Sequence, residues 1–178
     1  MNATSTAPPS DLLPNAEQLY QTLLGQLKAG MTRHAHLVGI HSGGAWLAER
    51  LARDLAHQPQ CGSVDVSFYR DDYKTAGLKN TRNKERSELP FAVEGAHIVL
   101  VDDVLNTGRS VRAAINELFD FGRPACIELA VLIDRGGREL PFAPNFCALD
   151  MMVQSDTALV LSRDTQGTFT LHTEVRPS

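Results

Sequence analysis

The 178 residues are 43% hydrophobic and carry a formal net charge of −4, enough apolar material for one well-buried α/β domain and short for two. That charge, with a pI near 5.8, excludes an overall electrostatic footprint for nucleic acid and leaves only a local basic patch. Cys61, Cys126 and Cys147 are widely spaced without a Cys-x-x-Cys pair, against a disulfide framework or a zinc site, and no segment approaches the length of a membrane span.

The chain starts Met-Asn-Ala-Thr-Ser-Thr-Ala-Pro-Pro-Ser, with neither a basic start nor an apolar core. Residues 1–14 are therefore expected to be a disordered tail on a cytoplasmic protein, and residues 15–178 a single domain. Leu19, Leu23, Leu24 and Leu27 give residues 15–29 the apolar stripe of a helix, with Asn15 and Gln18 as a capping pair and Gly30 as the stop. Residues 35–40 read as a core strand. Residues 44–57 read as a helix whose Trp46, Leu47, Leu51 and Leu55 face the sheet; Trp46 is taken as core and not as a platform for stacking bases. Residues 63–69 alternate Val64, Val66 and Phe68 on one side and deliver Arg70 at their end.

From Tyr73 to Leu89 the pattern changes: with Arg70 just before, six Lys or Arg residues occur with little apolar periodicity. Such an excursion is too long for an ordinary connector, and is expected to be a functional hood or a solvated loop. Order resumes with a strand at 97–101 and a helix at 109–120. That helix turns Val111, Ala114, Ile115, Leu118 and Phe119 inward and is ended by Gly122 and Pro124. A strand at 127–133, an edge strand at 146–149 and a hairpin of 158–161 with 168–175 around residues 164–167 complete the chain. Strands alternating with helices imply an α/β fold, a parallel sheet with crossover helices.

The most informative stretch is residues 98–110, Ile-Val-Leu-Val-Asp-Asp-Val-Leu-Asn-Thr-Gly-Arg-Ser. An apolar strand runs into Asp102 and Asp103 and then into a small-residue turn opening a helix, which places the acids at the carboxyl edge of a parallel sheet, where such folds bind ligands. Thr107, Gly108, Arg109 and Ser110 offer unpaired N–H groups and two hydroxyls to a phosphate dianion. The paired carboxylates suit the cis-diol of a ribose 5-phosphate and positive charge developing on its ring. Two further loops end strands at the same edge. His41-Ser42-Gly43-Gly44 suits a pyrophosphate or serves as a tight turn, with His41 itself readable as structural. Asp134-Arg135-Gly136-Gly137-Arg138 suits the polar edge of a pyrimidine or forms a surface ion pair beside a Gly-Gly turn.

Residues 98–110 resemble the 5-phosphoribosyl-1-pyrophosphate (PRPP) signature of type I phosphoribosyltransferases. Residues 38–51, 67–72, 122–125 and 132–141 narrow the resemblance to the bifunctional pyrimidine-operon attenuator and uracil phosphoribosyltransferase family, PyrR, over about residues 15–162. The resemblance implies the type I phosphoribosyltransferase fold, a parallel central sheet flanked by helices with a flexible hood near 73–89, assembled as a homodimer or higher homo-oligomer. It implies conversion of uracil and PRPP to UMP and pyrophosphate. Asp102 and Asp103 would hold the ribose hydroxyls, Thr107, Gly108, Arg109 and Ser110 the 5-phosphate, and Ser42, Gly43, Gly44 and Arg70 the pyrophosphate, with Val104, Leu105 and Asn106 of the signature also at the substrate. Arg135 and Val160 would border the nucleobase. Mg2+ would be held through the substrate near Asp102 and Asp103, with no direct protein ligand.

The chain departs from the family's pattern at two positions. Many relatives have Thr-Arg-Gly where this chain has Ser42-Gly43-Gly44, so a fixed charge on the leaving group is absent. At Asn106 related enzymes carry an acid or, in the attenuator branch, Tyr; Asn cannot take a proton at neutral pH. The alternatives to an enzyme are a phosphoribosyltransferase-like binder without turnover and a UMP-responsive RNA-binding attenuator. RNA is disfavoured by the acidic composition and by Gly137, Ala143 and Leu149 where attenuators tend to be basic, although Arg138 remains.

Overall fold

Apolar runs that alternate with amphipathic helices pair here as a sheet between two helical layers. The computed structural model describes residues 13–66, 87–153 and 156–175; Phe68, Arg70, the hood through residue 86 and residues 1–12 of the expected tail lie outside them. In chain order the elements are α1 (Ala16–Gly30), β1 (His36–Ile40), α2 (Gly43–Asp54), β2 (Cys61–Val64), β3 (His97–Leu105), α3 (Arg109–Phe121), β4 (Cys126–Asp134), β5 (Phe146–Asp150), β6 (Thr157–Arg163) and β7 (Phe169–Val175). Five strands form a parallel sheet in the order β2-β1-β3-β4-β5, and β6 and β7 form a separate antiparallel hairpin.

This order reverses between β1 and β3, so the loops leaving them diverge to opposite faces and open a crevice at their carboxyl ends. The two-residue period of β3 shows the division. Val99 and Val101 pack with Leu47 and Leu51 of α2 and Leu23 of α1, whereas Ile98 and Leu100 pack with Val111, Ala114 and Leu118 of α3.

Asn15 caps α1 as expected, its side chain accepting from the Gln18 amide at 3.1 Å. Gly30 acts differently from a left-handed stop. It is the last helical residue, and a Cβ there would stand 3.0 Å from the Phe146 ring, so the glycine admits β5 against the helix end. Helix α2 ends at Asp54, three residues before the expected His57, and β2 starts at Cys61 and ends at Val64. Trp46 packs against the core on the α1–α2 side as expected, though only half-buried, with Arg163 over its ring at 5.2 Å. Phe119 is a correction, at 52% exposed, because Ala113 occupies the inward face of α3 instead. Strand β3 runs four residues beyond Val101 to Leu105, its ladder continuing through Asp102↔Val131, Val104↔Ile133 and Leu105↔Asp134.

The hairpin is fixed to the helices through Glu17. The Arg50 fork donates to both Glu17 oxygens at 2.7 and 2.8 Å, and the Phe169 amide donates to Glu17 at 2.7 Å. Arg50 also covers the buried Tyr20 ring at 4.2 Å, while the Tyr20 hydroxyl donates to Asp54 at 2.6 Å. Burial, with the Asp54 carboxylate beside it, holds the Tyr20 phenol far above its ordinary value. Among the described residues no helix is long and apolar enough to cross a membrane.

Candidate active site

The acids stand within β3, not past its end. Asp102 is 4% exposed; its Oδ1 accepts from the Asp103 amide at 3.0 Å, and Asp103 Oδ1 from the Val104 amide at 3.0 Å. Each carboxylate is thus steadied by the backbone that follows it. Across from them lies the first turn of α2. A Cβ on Gly43 would stand 2.3 Å from Asp103 Oδ2, and one on Gly44 would stand 2.3 Å from the Val101 carbonyl oxygen. Helix and strand therefore approach as closely as bare backbone allows. Neither α2 nor α3 has an acid in its first turn, which leaves both N-termini favourable to anions. Ser42 is exposed and makes no side-chain cap bond to α2. His41 is held by β2, its amide donating to the Val64 carbonyl at 3.0 Å and its ring Nε2 lying 3.1 Å from Ser63 Oγ.

The turn between β3 and α3 is held from outside. Gly108 sits in the left-handed region at φ +89°, and a Cβ there would meet the Phe142 ring at 2.9 Å, so only glycine fits on both counts. The Thr107 hydroxyl accepts from the Arg109 amide at 3.3 Å, and the Thr107 carbonyl accepts from the Glu139 and Leu140 amides, both at 3.0 Å. The Asn106 carbonyl accepts from Arg138 at 2.5 Å. The Arg109 side chain lies against Glu139, at 2.6 Å. Ser110 is half-buried in the first turn of α3. Leu105 is buried in the α3-side core and Val104 packs partly against the opposite core, so Leu105 offers the edge only its backbone.

At the end of β4, Asp134 accepts from the Gly136 amide at 3.0 Å and pairs with Arg138. Arg135 is 4% exposed and donates to the Thr157 carbonyl at 2.6 Å, tying β6 to this edge. Val160 pairs with His172 and faces away from the buried Leu159 and Leu161. The residue that sequence reasoning underweighted is Arg138. It was read within the loop after β4 and as a remaining basic residue for RNA, yet it joins Asn106, Asp134 and the Phe142 carbonyl. Its only local signal was the four-residue interval from Asp134.

The family described as "Phosphoribosyl transferase domain" matches residues 12–152. A relative from Ralstonia nicotianae named "Bifunctional protein PyrR" is 49% identical over 157 residues, 86% of this chain and 88% of its own. The chain belongs to the PyrR family of phosphoribosyltransferases. A Pseudomonas aeruginosa member of the same name is 44% identical over 153 residues, 84% of this chain and 89% of its own. Among solved structures, the hypoxanthine phosphoribosyltransferase of Trypanosoma cruzi superposes with a TM-score of 0.61 at 18% identity, over 93% of this chain and 96% of that one. A hypoxanthine-guanine phosphoribosyltransferase from Bacillus anthracis gives 0.59 at 14% identity, over 80% and 82%. At these identities the likeness is one of fold, and it agrees with the parallel five-stranded sheet. Family membership makes the chain a phosphoribosyltransferase and leaves its nucleobase to chemical argument.

Proposed function

We propose that the protein transfers the 5-phosphoribosyl group of PRPP to uracil, forming UMP and pyrophosphate. The observation that carries this reading is the meeting, in a PyrR-family chain, of the β3 acids with the first turn of α2, where Gly43 lies directly against the Asp103 carboxylate. Asp102 and Asp103 accept from the ribose hydroxyls and stabilise the positive charge that grows on the ring as the C1–oxygen bond to pyrophosphate breaks. The amides of residues 107–110 hold the 5-phosphate, and those of residues 42–44 the departing pyrophosphate. Uracil N1 then bonds to C1, and its proton passes to the pyrophosphate, whose oxygens become more basic as they leave. Asn106 accepts no proton, which suits a reaction in which bond breaking leads and the nucleophile needs orientation more than activation.

Asp102 and Asp103 offer the hard oxygens that Mg2+ prefers, and an ion held beside them through the substrate's own oxygens would neutralise charge on pyrophosphate. Assembly as a homodimer or larger belongs to the same reading and is tested by sedimentation.

A second reading, a UMP-responsive RNA-binding attenuator, draws on the relatives' name "Bifunctional protein PyrR". Against it, the Arg138 fork is already engaged by Asp134 and three carbonyls, and Gly137, Ala143 and Leu149 bring no charge to phosphates. The test is UMP formation by the purified protein from uracil, PRPP and Mg2+, with hypoxanthine, guanine and orotate as controls. Uracil-selective turnover is expected. No turnover together with tight, UMP-dependent retention of leader RNA on a filter would reverse the ranking.

A further inference from the structure

We infer that Arg138 is a positioning residue that aims the phosphate-binding amides from behind and links them to the loop after β4. The inference rests on the phosphoribosyl reading of that turn and adds a residue to it.

A guanidinium is a rigid fork with five N–H donors, able to hold several acceptors at fixed angles where an ammonium cannot. Arg138 uses it on three segments. Its Nε donates to the Phe142 carbonyl at 2.9 Å, its Nη1 to the Asn106 carbonyl at 2.5 Å, and its Nη2 pairs with the Asp134 carboxylate. Both partners of that ion pair are largely shielded, with side-chain exposures of 24% and 13%. The other Asp134 oxygen takes the Gly136 amide at 3.0 Å, so the carboxylate is itself held in place.

The consequence follows from peptide geometry. In a trans peptide the C=O and N–H of one unit point in opposite directions. The Asn106 carbonyl faces Arg138, and the Thr107 carbonyl faces the Glu139 and Leu140 amides at 3.0 Å. The N–H groups of Thr107 and Gly108, which belong to those same two units, therefore point away from residues 138–140. These are amides assigned to the 5-phosphate. Donation to the Asn106 carbonyl also polarises its peptide unit, making the Thr107 N–H a stronger donor. The Arg138 charge is compensated by Asp134, so its contribution is direction, not attraction of the anion. Because one fork grips both Asn106 and Asp134, displacing either loop strains the other, and phosphate and nucleobase sites are mechanically joined.

The experiment measures binding of ribose 5-phosphate to the full chain by calorimetry, below each variant's melting temperature, with steady-state kinetics alongside. The wild type is expected to bind. Arg138→Met, which keeps much of the stem's packing, should weaken binding by about tenfold or more and raise KM for both PRPP and uracil with a smaller change in kcat. Arg138→Lys keeps the charge and the Asp134 pair but not the fork, so it should fold normally and recover little of the affinity. It also serves if the Met variant fails to fold. A Lys variant that binds ribose 5-phosphate like the wild type would overturn the inference, as would a folded Met variant with unaltered affinity. A wild type that binds no ribose 5-phosphate would instead overturn the phosphoribosyl reading itself.

Discussion

Gly43 and Gly44 are neighbours in the first turn of α2, yet alanine at the two positions should have opposite consequences. At Gly44 the new Cβ would lie 2.3 Å from the Val101 carbonyl oxygen, 3.0 Å from the Asp102 Cα and 3.1 Å from the Val101 carbonyl carbon. All three atoms are backbone of the central strand, so relief requires moving α2 off the sheet. Overpacking of this kind costs about 1–3 kcal/mol. For a domain of this size each kcal/mol shifts Tm by roughly 2–4 °C, predicting a fall of about 2–12 °C. At Gly43 the nearest atoms are Oδ2, Cγ and Cβ of Asp103, at 2.3, 2.6 and 3.0 Å, and a carboxylate can swing away. The better helix propensity of alanine, about 0.5–1 kcal/mol, offsets most of that cost, so Tm should hardly change. Turnover should not survive as well, since moving a reacting-site group by about 1 Å can cost roughly 10²-fold. Calorimetric melting and UMP formation on both variants check this. A Gly44→Ala protein as stable as wild type, or a fully active Gly43→Ala, would refute the close-approach argument.

Asp102→Asn combined with Asp103→Asn should lower UMP formation by at least about 10²-fold with an unchanged circular dichroism spectrum, and undiminished turnover would remove these residues from the mechanism. The Arg50 fork holds the Glu17 carboxyl below its ordinary 4.5, so its stabilising contribution is complete above that pH and is lost as pH falls through the lower, folded-state value. The Tm gap between wild type and Glu17→Gln should therefore be open at pH 7 and narrow as the pH drops below 4.5; a constant gap would refute the ion-pair origin. Burial pushes the Cys61 thiol up to about 11 and raises that of Cys147, whereas Cys126 is exposed. Mass spectrometry after brief iodoacetamide treatment at mildly alkaline pH should find Cys126 labelled first, and prior labelling of Cys61 would contradict the packing. In a double-mutant cycle, Gly137→Ala should destabilise the wild type more than it does an Asn106→Ala background, by about 0.5 kcal/mol or more; additive effects would deny the contact between them.

What was legible in the sequence was what neighbouring residues decide among themselves. The leucine spacing of α1 and its Asn15 cap, the apolar core of β3, the Gly108 turn and the β6–β7 hairpin all follow from local period or turn chemistry. What was missed depended on distant partners. An apolar run ends at Val101, but a ladder is made by backbone, and pairing with β4 carries β3 through both acids to Leu105. Periodicity placed Trp46 against the core, where it packs half-buried; the Arg163 guanidinium over its ring comes from a strand the chain adds only after the whole sheet is built. The hold of Arg138 on Asn106 was invisible locally because that acceptor lies 32 residues earlier.

Asn106, with no proton acceptor, and Gly137, with no basic side chain, look unrelated along the chain. In three dimensions they are one arrangement. Asn106 Oδ1 lies 2.7 Å from where a Gly137 Cβ would stand, and Gly137 holds φ at +72°. A side chain at 137 would meet both steric collision and backbone strain, and a larger side chain at 106 would press on the same space. The pair thus leaves the loop after β4 lying close over the phosphate turn, with Arg138 threaded between Asn106 and Asp134. A glycine at 137 relieves both the collision with Asn106 and the strain of a positive φ, so the close approach of this loop to the turn between β3 and α3 depends on the two residues together.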